Sequence, residues 1–372
     1  MQKKLIALAV AGLVSGGAFA QSNVSIYGIV DMGYMNKNFD GADKTVNGID
    51  SGILSVSRLG FKGEEALGNG LKAIFNLEYA LAIDNNAAIG TDSNGNMKAR
   101  QQYVGLSSDA YGKVFAGYLQ SAGWEFATGV SPLSGSALGA HPNLAFNGAT
   151  QLSASGRLEN AIAYVSPTFA GFTVALNHGR ITEQANTTSV ADAYANQIGI
   201  SYANGPITAG YVYSKQSYDQ QAFDAAKFGN AAAPGFALGD IVEHGIRGGY
   251  DFGVAKLQAA YQTFEYKDLN SDRDSKWVVG ATVPVTAAGK IIGEYASLNV
   301  KNPYPAGVQN INGYTPNLAA YADAKAWTLA YTHDLSKRTT AYVGYNQVSS
   351  DVVNTSSTGD VKRFAFGVRH AF

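Results

Sequence analysis

The sequence predicts an all-β protein, a 16-stranded antiparallel transmembrane β-barrel with short periplasmic turns and long extracellular loops. Three observations carry that prediction. The chain closes on Phe364-Ala365-Phe366-Gly367-Val368-Arg369-His370-Ala371-Phe372, in which every second residue is large and mostly apolar. A period of two means a strand with one apolar face and one wetted face. At the other end, Met1-Gln2-Lys3-Lys4, the apolar stretch Leu5 to Val14 and Ala18-Phe19-Ala20 read as an export leader with an A-x-A cleavage site. Between these ends, short and long connections alternate strictly, the pattern of an up-and-down outer-membrane barrel.

Residues 1–20 are expected to be a cleaved signal peptide and residues 21–372 the barrel. The leader's apolar stretch is shorter than the roughly 20 residues of a spanning helix. No later segment is an uninterrupted apolar run of about 18 residues, so transmembrane helices are not expected. With no cysteine, export is not accompanied by disulfide stapling. Removing Lys3 and Lys4 leaves 25 basic against 28 acidic side chains, a balance that gives no sign of nucleic-acid binding. Glycine (43) and tyrosine (22) are abundant while proline (9) is scarce, which suits twisted strands with aromatic girdles rather than disorder.

Alternation and turn residues mark strands near 24–35, 53–64, 70–83, 99–109, 112–119, 158–167, 170–180, 194–203, 206–216, 241–251, 254–266, 275–284, 289–300, 324–334, 338–349 and 361–372. Seven connections are short: Glu65–Asn69, Ala110–Tyr111, Thr168–Phe169, Asn204–Gly205, Phe252–Gly253, Val285–Ala288 and Leu335–Lys337. The other eight, near 36–52, 84–98, 120–157, 181–193, 217–240, 267–274, 301–323 and 350–360, are mostly longer and polar. The mature length gives roughly 22 residues per strand plus connection, enough for a tilted crossing of a thin bilayer. An immunoglobulin-like array would not alternate in this way, and no internal repeat supports a propeller.

Single strands show their faces. Trp327, Leu329 and Tyr331 oppose Thr328, Ala330 and Thr332, and Phe172, Val174 and Leu176 alternate with Thr173, Ala175 and Asn177. Trp277, Trp327, Tyr211, Tyr213, Tyr295, Tyr331 and Tyr345 are expected in interfacial girdles. A sugar-binding slide of stacked rings is the sharper alternative and would need those rings inside the pore. The histidines (141, 178, 244, 333 and 370) stand apart from cysteines and paired carboxylates, so neither a metal site nor a Ser-His catalytic pair is expected. Gly68-Asn69-Gly70 reads as a hairpin turn, not as a phosphate loop, since it lacks the third glycine and the helix.

The run Arg58-Leu59-Gly60-Phe61-Lys62-Gly63-Glu64-Glu65-Ala66-Leu67-Gly68-Asn69-Gly70-Leu71-Lys72-Ala73 resembles the second strand, turn and third strand of Gram-negative general porins, most closely those of beta-proteobacteria. Val24 to Asp31 resembles their first strand, Arg100 to Leu106 the fourth and Arg157 to Pro167 the sixth. With Phe372 the likeness spans the mature chain. It implies a homotrimer of barrels in the outer membrane, in contact with lipid and lipopolysaccharide. Each pore would be narrowed by an inward-folded third loop. Phe372 is the expected handle for the barrel-assembly machinery.

The family's basic constriction cluster falls on Arg58, Arg100 and Arg157. The physics agrees, because a lipid-facing guanidinium at the midplane costs about 2–4 kcal/mol. A lumen-facing one stays hydrated and permanently charged. Alternation puts Leu59 and Phe61 towards lipid and Arg58, Gly60, Lys62 and Glu64 inside. Arg100 shares its parity with Val104 and Leu106. It is inside only if its strand presents Tyr103 and Gly105 to a trimer partner, or if the strand bulges. Asp31 and Glu159 are possible lumen acids by parity.

The third long connection resembles the constriction loop, and Trp124, Phe126, Leu133, Leu138, Leu144 and Phe146 suit it to packing on the inner wall. Many porins carry Pro-Glu-Phe-Gly in this loop. Here it reads Ser131-Pro132-Leu133-Ser134-Gly135-Ser136-Ala137-Leu138-Gly139, and Glu125 is its only carboxylate. The expected function is passive diffusion of small hydrophilic solutes and ions, without cofactor or catalysis, and with modest anion preference. The rivals are a substrate-specific anion porin, an outer-membrane hydrolase barrel and a surface adhesin acting through its outer loops.

Overall fold

The computed structural model describes residues 23–39, 44–91, 98–143, 156–182, 193–218, 240–267, 272–301, 323–350 and 360–372. The signal-peptide expectation, Leu144, Phe146 and most of the long outer connections lie outside the described residues. The strands are β1 (Asn23–Phe39), β2 (Lys44–Ser51), β3 (Arg58–Gly68), β4 (Leu71–Ala80), β5 (Ala99–Ser108), β6 (Gly112–Gln120), β7 (Arg157–Val165), β8 (Phe172–Thr182) and β9 (Ala193–Asn204). They continue as β10 (Ile207–Tyr218), β11 (Ile241–Asp251), β12 (Lys256–Tyr266), β13 (Asp274–Pro284), β14 (Gly289–Asn299), β15 (Ala324–Asp334), β16 (Thr339–Ser350) and β17 (Val361–Ala371). Two short helices, α1 (Ala122–Ala127) and α2 (Ala140–Asn143), lie in the connection between β6 and β7.

These 17 segments fill 16 positions in one closed antiparallel wall. The long β1 pairs on one side with β17, and on the other with β3 below (Ile29 opposite Arg58) and β2 above (Met32 opposite Ser51). β2 and β3 are thus two halves of one barrel strand. Residues 52–57 interrupt it, and Gly52 turns the chain at φ +77°, a left-handed conformation that favours glycine. The expected strand at 53–64 and connection at 36–52 are corrected accordingly. Alternation alone does not reveal that Ile53 leaves the wall and is buried against Met35, Leu138 and Tyr342.

The seam closes at the chain end. Gly28 and Phe372 exchange backbone hydrogen bonds, each 3.1 Å long, and the Phe372 ring covers Gly28 on the outside, where a Cβ would meet it at 2.4 Å. The turn between β3 and β4 has positive φ at both Asn69 (51°) and Gly70 (76°), the type I′ geometry that matches strand twist.

Large apolar side chains sit on the outer face, among them Val104, Ile162, Ile246, Leu329 and Phe366. The aromatic pairs Trp277–Tyr295 (5.4 Å between ring centroids) and Trp327–Tyr345 (5.2 Å) share that face. These rings are therefore outside the pore and do not form a stacked sugar track. Inside, small and polar residues alternate with them, and a core of Leu119, Phe126, Leu158, Val212 and Phe264 joins the β6–β7 connection to the wall.

Leu329 stands at the middle of β15, half exposed on the apolar face. Leu329→Arg is expected to lower unfolding free energy by about 2–4 kcal/mol in reversible denaturation from phospholipid vesicles. A change within about 0.5 kcal/mol would mean that this face does not meet lipid.

Candidate functional site

The β6–β7 connection folds into the barrel and is held there by polar side chains of the inner wall. Ser121 caps α1 and accepts from the Trp124 amide (3.3 Å). The first α1 amides, Ala122 and Gly123, donate to Asn177 Oδ1 (2.7 Å) and Gln197 Oε1 (2.8 Å). At the other end of α1, Arg247 Nη1 donates to the carbonyls of Glu125 (2.9 Å) and Phe126 (2.6 Å). A helix of six residues leaves its terminal amides and carbonyls without helical partners, and the wall supplies them.

Further along, Glu294 accepts from the amides of Leu133 and Ala140 (2.9 Å for the latter), and Thr328 donates to the Leu138 carbonyl. The tip reaches the interrupted strand, where Ala137 N (2.8 Å) and Ser136 Oγ (2.9 Å) both donate to the Ile53 carbonyl. The loop therefore follows the inner wall past β8, β9, β11, β14 and β15 to the break between β2 and β3. Phe126, Leu133 and Leu138 are buried, as their composition predicts.

The opposite wall is basic. Arg58 enters the lumen at the start of β3, donating from Nε to the Val56 carbonyl (3.0 Å) and from Nη2 to Ser55 Oγ (3.0 Å). Lys62 shares its face, with its ammonium 5.2 Å from the centre of the Tyr27 ring. The Tyr27 hydroxyl lies 2.9 Å from Asn76 Oδ1 and 3.0 Å from Glu78 Oε2. Glu78 accepts from Arg100 Nε (2.6 Å) in a pair that is about 6% exposed on each side. The Arg100 carbonyl accepts from Arg157 Nε (2.8 Å), and the Arg157 guanidinium stacks 4.1 Å above Trp124 of α1. One chain of contacts thus runs from Lys62 to the inward loop. Four cations face the single carboxylate Glu78 within it, and the three arginines repel one another electrostatically.

Arg100 faces inward because β5 bulges between Glu78 and Tyr79 of its partner strand. Tyr103 and Gly105 consequently point inward too. Tyr103 stacks on Phe115 at 4.7 Å, and a Cβ on Gly105 would meet that same Phe115. The placement of these two residues as an outer trimer contact is corrected.

The expected acids divide. Asp31 faces inward but is wholly buried, accepting from the Tyr342 hydroxyl (2.6 Å) and the Ser55 amide (2.6 Å), so it braces the strand break. Glu159 lies on the outer face opposite Arg180, because a bulge at Asn160 (φ 44°) breaks the parity that groups it with the lumen. Glu125 is exposed to the lumen on α1. Glu78 escaped the sequence reading, although it alternates with Leu77 and Tyr79 on the face of Asn76 and Ala80. Arg247 escaped it because its role depends on a loop more than a hundred residues away.

This geometry defines the class: a closed outer-membrane β-barrel whose water-filled lumen is narrowed by an inward loop against a basic wall. The family model described as Gram-negative porin matches residues 7–352. The chain is 33% identical over 359 residues to outer membrane porin protein 32 of Delftia acidovorans, covering 92% of this chain and 88% of that one. It is 25% identical over 421 residues to an outer membrane porin protein of Bordetella pertussis, covering all of both. An anion-selective porin from Comamonas acidovorans superposes with a TM-score of 0.72 at 27% identity, over 95% of this chain and all of that one. The chain belongs to the Gram-negative porin family. It is an outer-membrane porin of beta-proteobacterial type, a channel for passive diffusion of small hydrophilic solutes and ions.

The histidines bond to amides and hydroxyls, as His178 does to Asn196 and His370 to Thr339. His141, in α2, is buried with Nε2 2.6 Å from Gln262 Oε1. Burial holds its imidazole well below the ordinary range, the charge of Lys276 adds to that, and the Gln262 bond opposes it. A His141 released from the wall takes up a proton near pH 6.5, whereas the seated one stays neutral. Seating is therefore complete above that pH and weakens as pH falls, by up to about 1.4 kcal/mol per unit. Amide exchange corrected for intrinsic rate is expected to speed up around residues 133–141 between pH 7 and 5, and His141→Gln to flatten the change. An equal response in both proteins would contradict this role.

Proposed function

We propose that the channel prefers anions and that Arg58, Arg100, Arg157 and Lys62 produce the preference. The observation that carries this reading is the imbalance across the lumen. The basic wall holds four cations against Glu78, while Glu125 is the one carboxylate of the facing loop. Arg100 is largely neutralised by Glu78 and keeps Arg157 in place through its carbonyl, so Arg58, Arg157 and Lys62 carry most of the field. The fold's similarity to the anion-selective porin from Comamonas acidovorans supports the same sign.

Residues 1–20 act as a cleaved signal peptide. The barrels assemble as homotrimers surrounded by outer-membrane lipid and lipopolysaccharide. Phe372, which is 42% exposed on the outer face, serves the assembly machinery. The relatives described above are channels, and catalysis forms no part of this function.

The test is the zero-current potential in a planar bilayer under a tenfold KCl gradient. The protein is expected to pass chloride in preference to potassium. Arg58→Ala and Arg157→Ala should each reduce that preference at least twofold, and Glu78→Gln should increase it by unmasking Arg100. Potassium preference, or variants indistinguishable from the parent, would overturn the assignment.

A further inference from the structure

Beneath α1, in the periplasmic half of the lumen, lies a cavity of about 400 Å³. It is bounded by α1 and by residues of β4 to β11, and Arg58, Arg100 and Arg157 are not among its lining residues. Its apolar surface comes from the stacked Tyr103 and Phe115 and from Phe126, the last overlaid by the Arg247 guanidinium at 5.4 Å. Besides Arg247, two opposite charges border it. Glu125 projects from α1, and Lys113 stands on β6 beside the periplasmic turn.

The state of these two charges is what points to a ligand. Outside the basic wall of Arg58, Arg157 and Lys62, lumen-facing charges such as Lys37 with Asp50 at 2.8 Å and Lys290 with Asp334 at 3.0 Å are paired. Among the described residues, neither the Glu125 carboxylate nor the Lys113 ammonium makes a hydrogen bond or ion pair. Both are exposed to the lumen. Arg247, the cation nearest Glu125, is committed to the carbonyls at the end of α1 and reaches that carboxylate only through its field. An apolar floor with a free acid at one border and a free base at another complements a solute with the same pattern: an ammonium, an apolar middle and a carboxylate. A free α-amino acid carries both charges on one carbon. A short peptide carries them at its two ends, with side chains between.

We propose that this cavity binds short zwitterionic peptides bearing an apolar side chain, with the N-terminal ammonium at Glu125, the carboxylate at Lys113 and the side chain on Phe115 and Tyr103. The proposal rests on the open lumen of the channel and is independent of its anion preference. The volume lies within the range of small-molecule pockets, and the rings supply an apolar surface that a purely hydrophilic solute cannot use.

The test compares Phe-Ala with three relatives, each lacking one feature: N-acetyl-Phe-Ala, Phe-Ala amide and Gly-Gly. Blocking events are recorded on single channels, and the same solutes are titrated by calorimetry into the detergent-solubilised protein, which needs no conductance. Phe-Ala is expected to dwell at least fivefold longer than any of the three. Glu125→Gln should erase the difference between Phe-Ala and its N-acetyl form, and Lys113→Gln the difference between Phe-Ala and its amide. Equal dwell times for all four solutes would overturn the proposal. So would a preference for the N-acetyl anion, which general attraction to the arginines would produce, or discrimination that survives in both variants. A protein that does not conduct would count against the channel, while calorimetry would still decide the binding site.

Discussion

A bilayer offers no hydrogen bonds to a polypeptide backbone, and the remainder of this structure is arranged around that constraint. Each strand must pair on both sides, so the sheet has to close, and β1 meets β17 over an eleven-residue register from Ile29–Ala371 to Phe39–Val361. Closure then sorts the side chains. Residues of one parity meet lipid and those of the other meet water, so charges borne by strands favour the lumen, with Glu159 opposite Arg180 as an outward exception. The basic wall is a consequence of this sorting as well as of the sequence. Arg58 and Lys62 are inside because Leu59 and Phe61 are outside.

A barrel of 16 strands would enclose a wide opening without its inward loop. That loop contains little regular structure, only α1 and α2, and its conformation comes from the wall. Asn177, Gln197, Arg247, Glu294 and Thr328 bond to its backbone, and Ile53 receives its tip. A charged acceptor such as Glu294, taking two amides in a buried place, forms bonds stronger than neutral pairs. The interrupted second strand belongs to the same device, since the break is what brings the Ile53 carbonyl to the loop. Asp31 holds that break together through Tyr342 and Ser55.

Much of this was legible in the sequence because lipid enforces a period of two. The strand at 241–251 was bounded correctly from alternation alone, as was that at 324–334. What escaped was whatever breaks the period. The bulge at Arg100 carries that side chain inward against its parity, and the bulge at Asn160 carries Glu159 outward. The break after Ser51 hid behind residues that still alternate. Asp31 was placed on the correct face, but its burial depends on Tyr342, 311 positions away. Such contacts between distant segments leave no local pattern. Glu78 is a different case, because its alternation was visible and only its pairing with Arg100 was not.

Mobile anions gather along the wall formed by Arg58 and Arg157. Anomalous diffraction from crystals soaked separately in potassium bromide and rubidium chloride would show it. Bromide is expected in the lumen beside Arg58 and Arg157, with no rubidium at that wall. Rubidium sites there, or a wall without bromide, would contradict it.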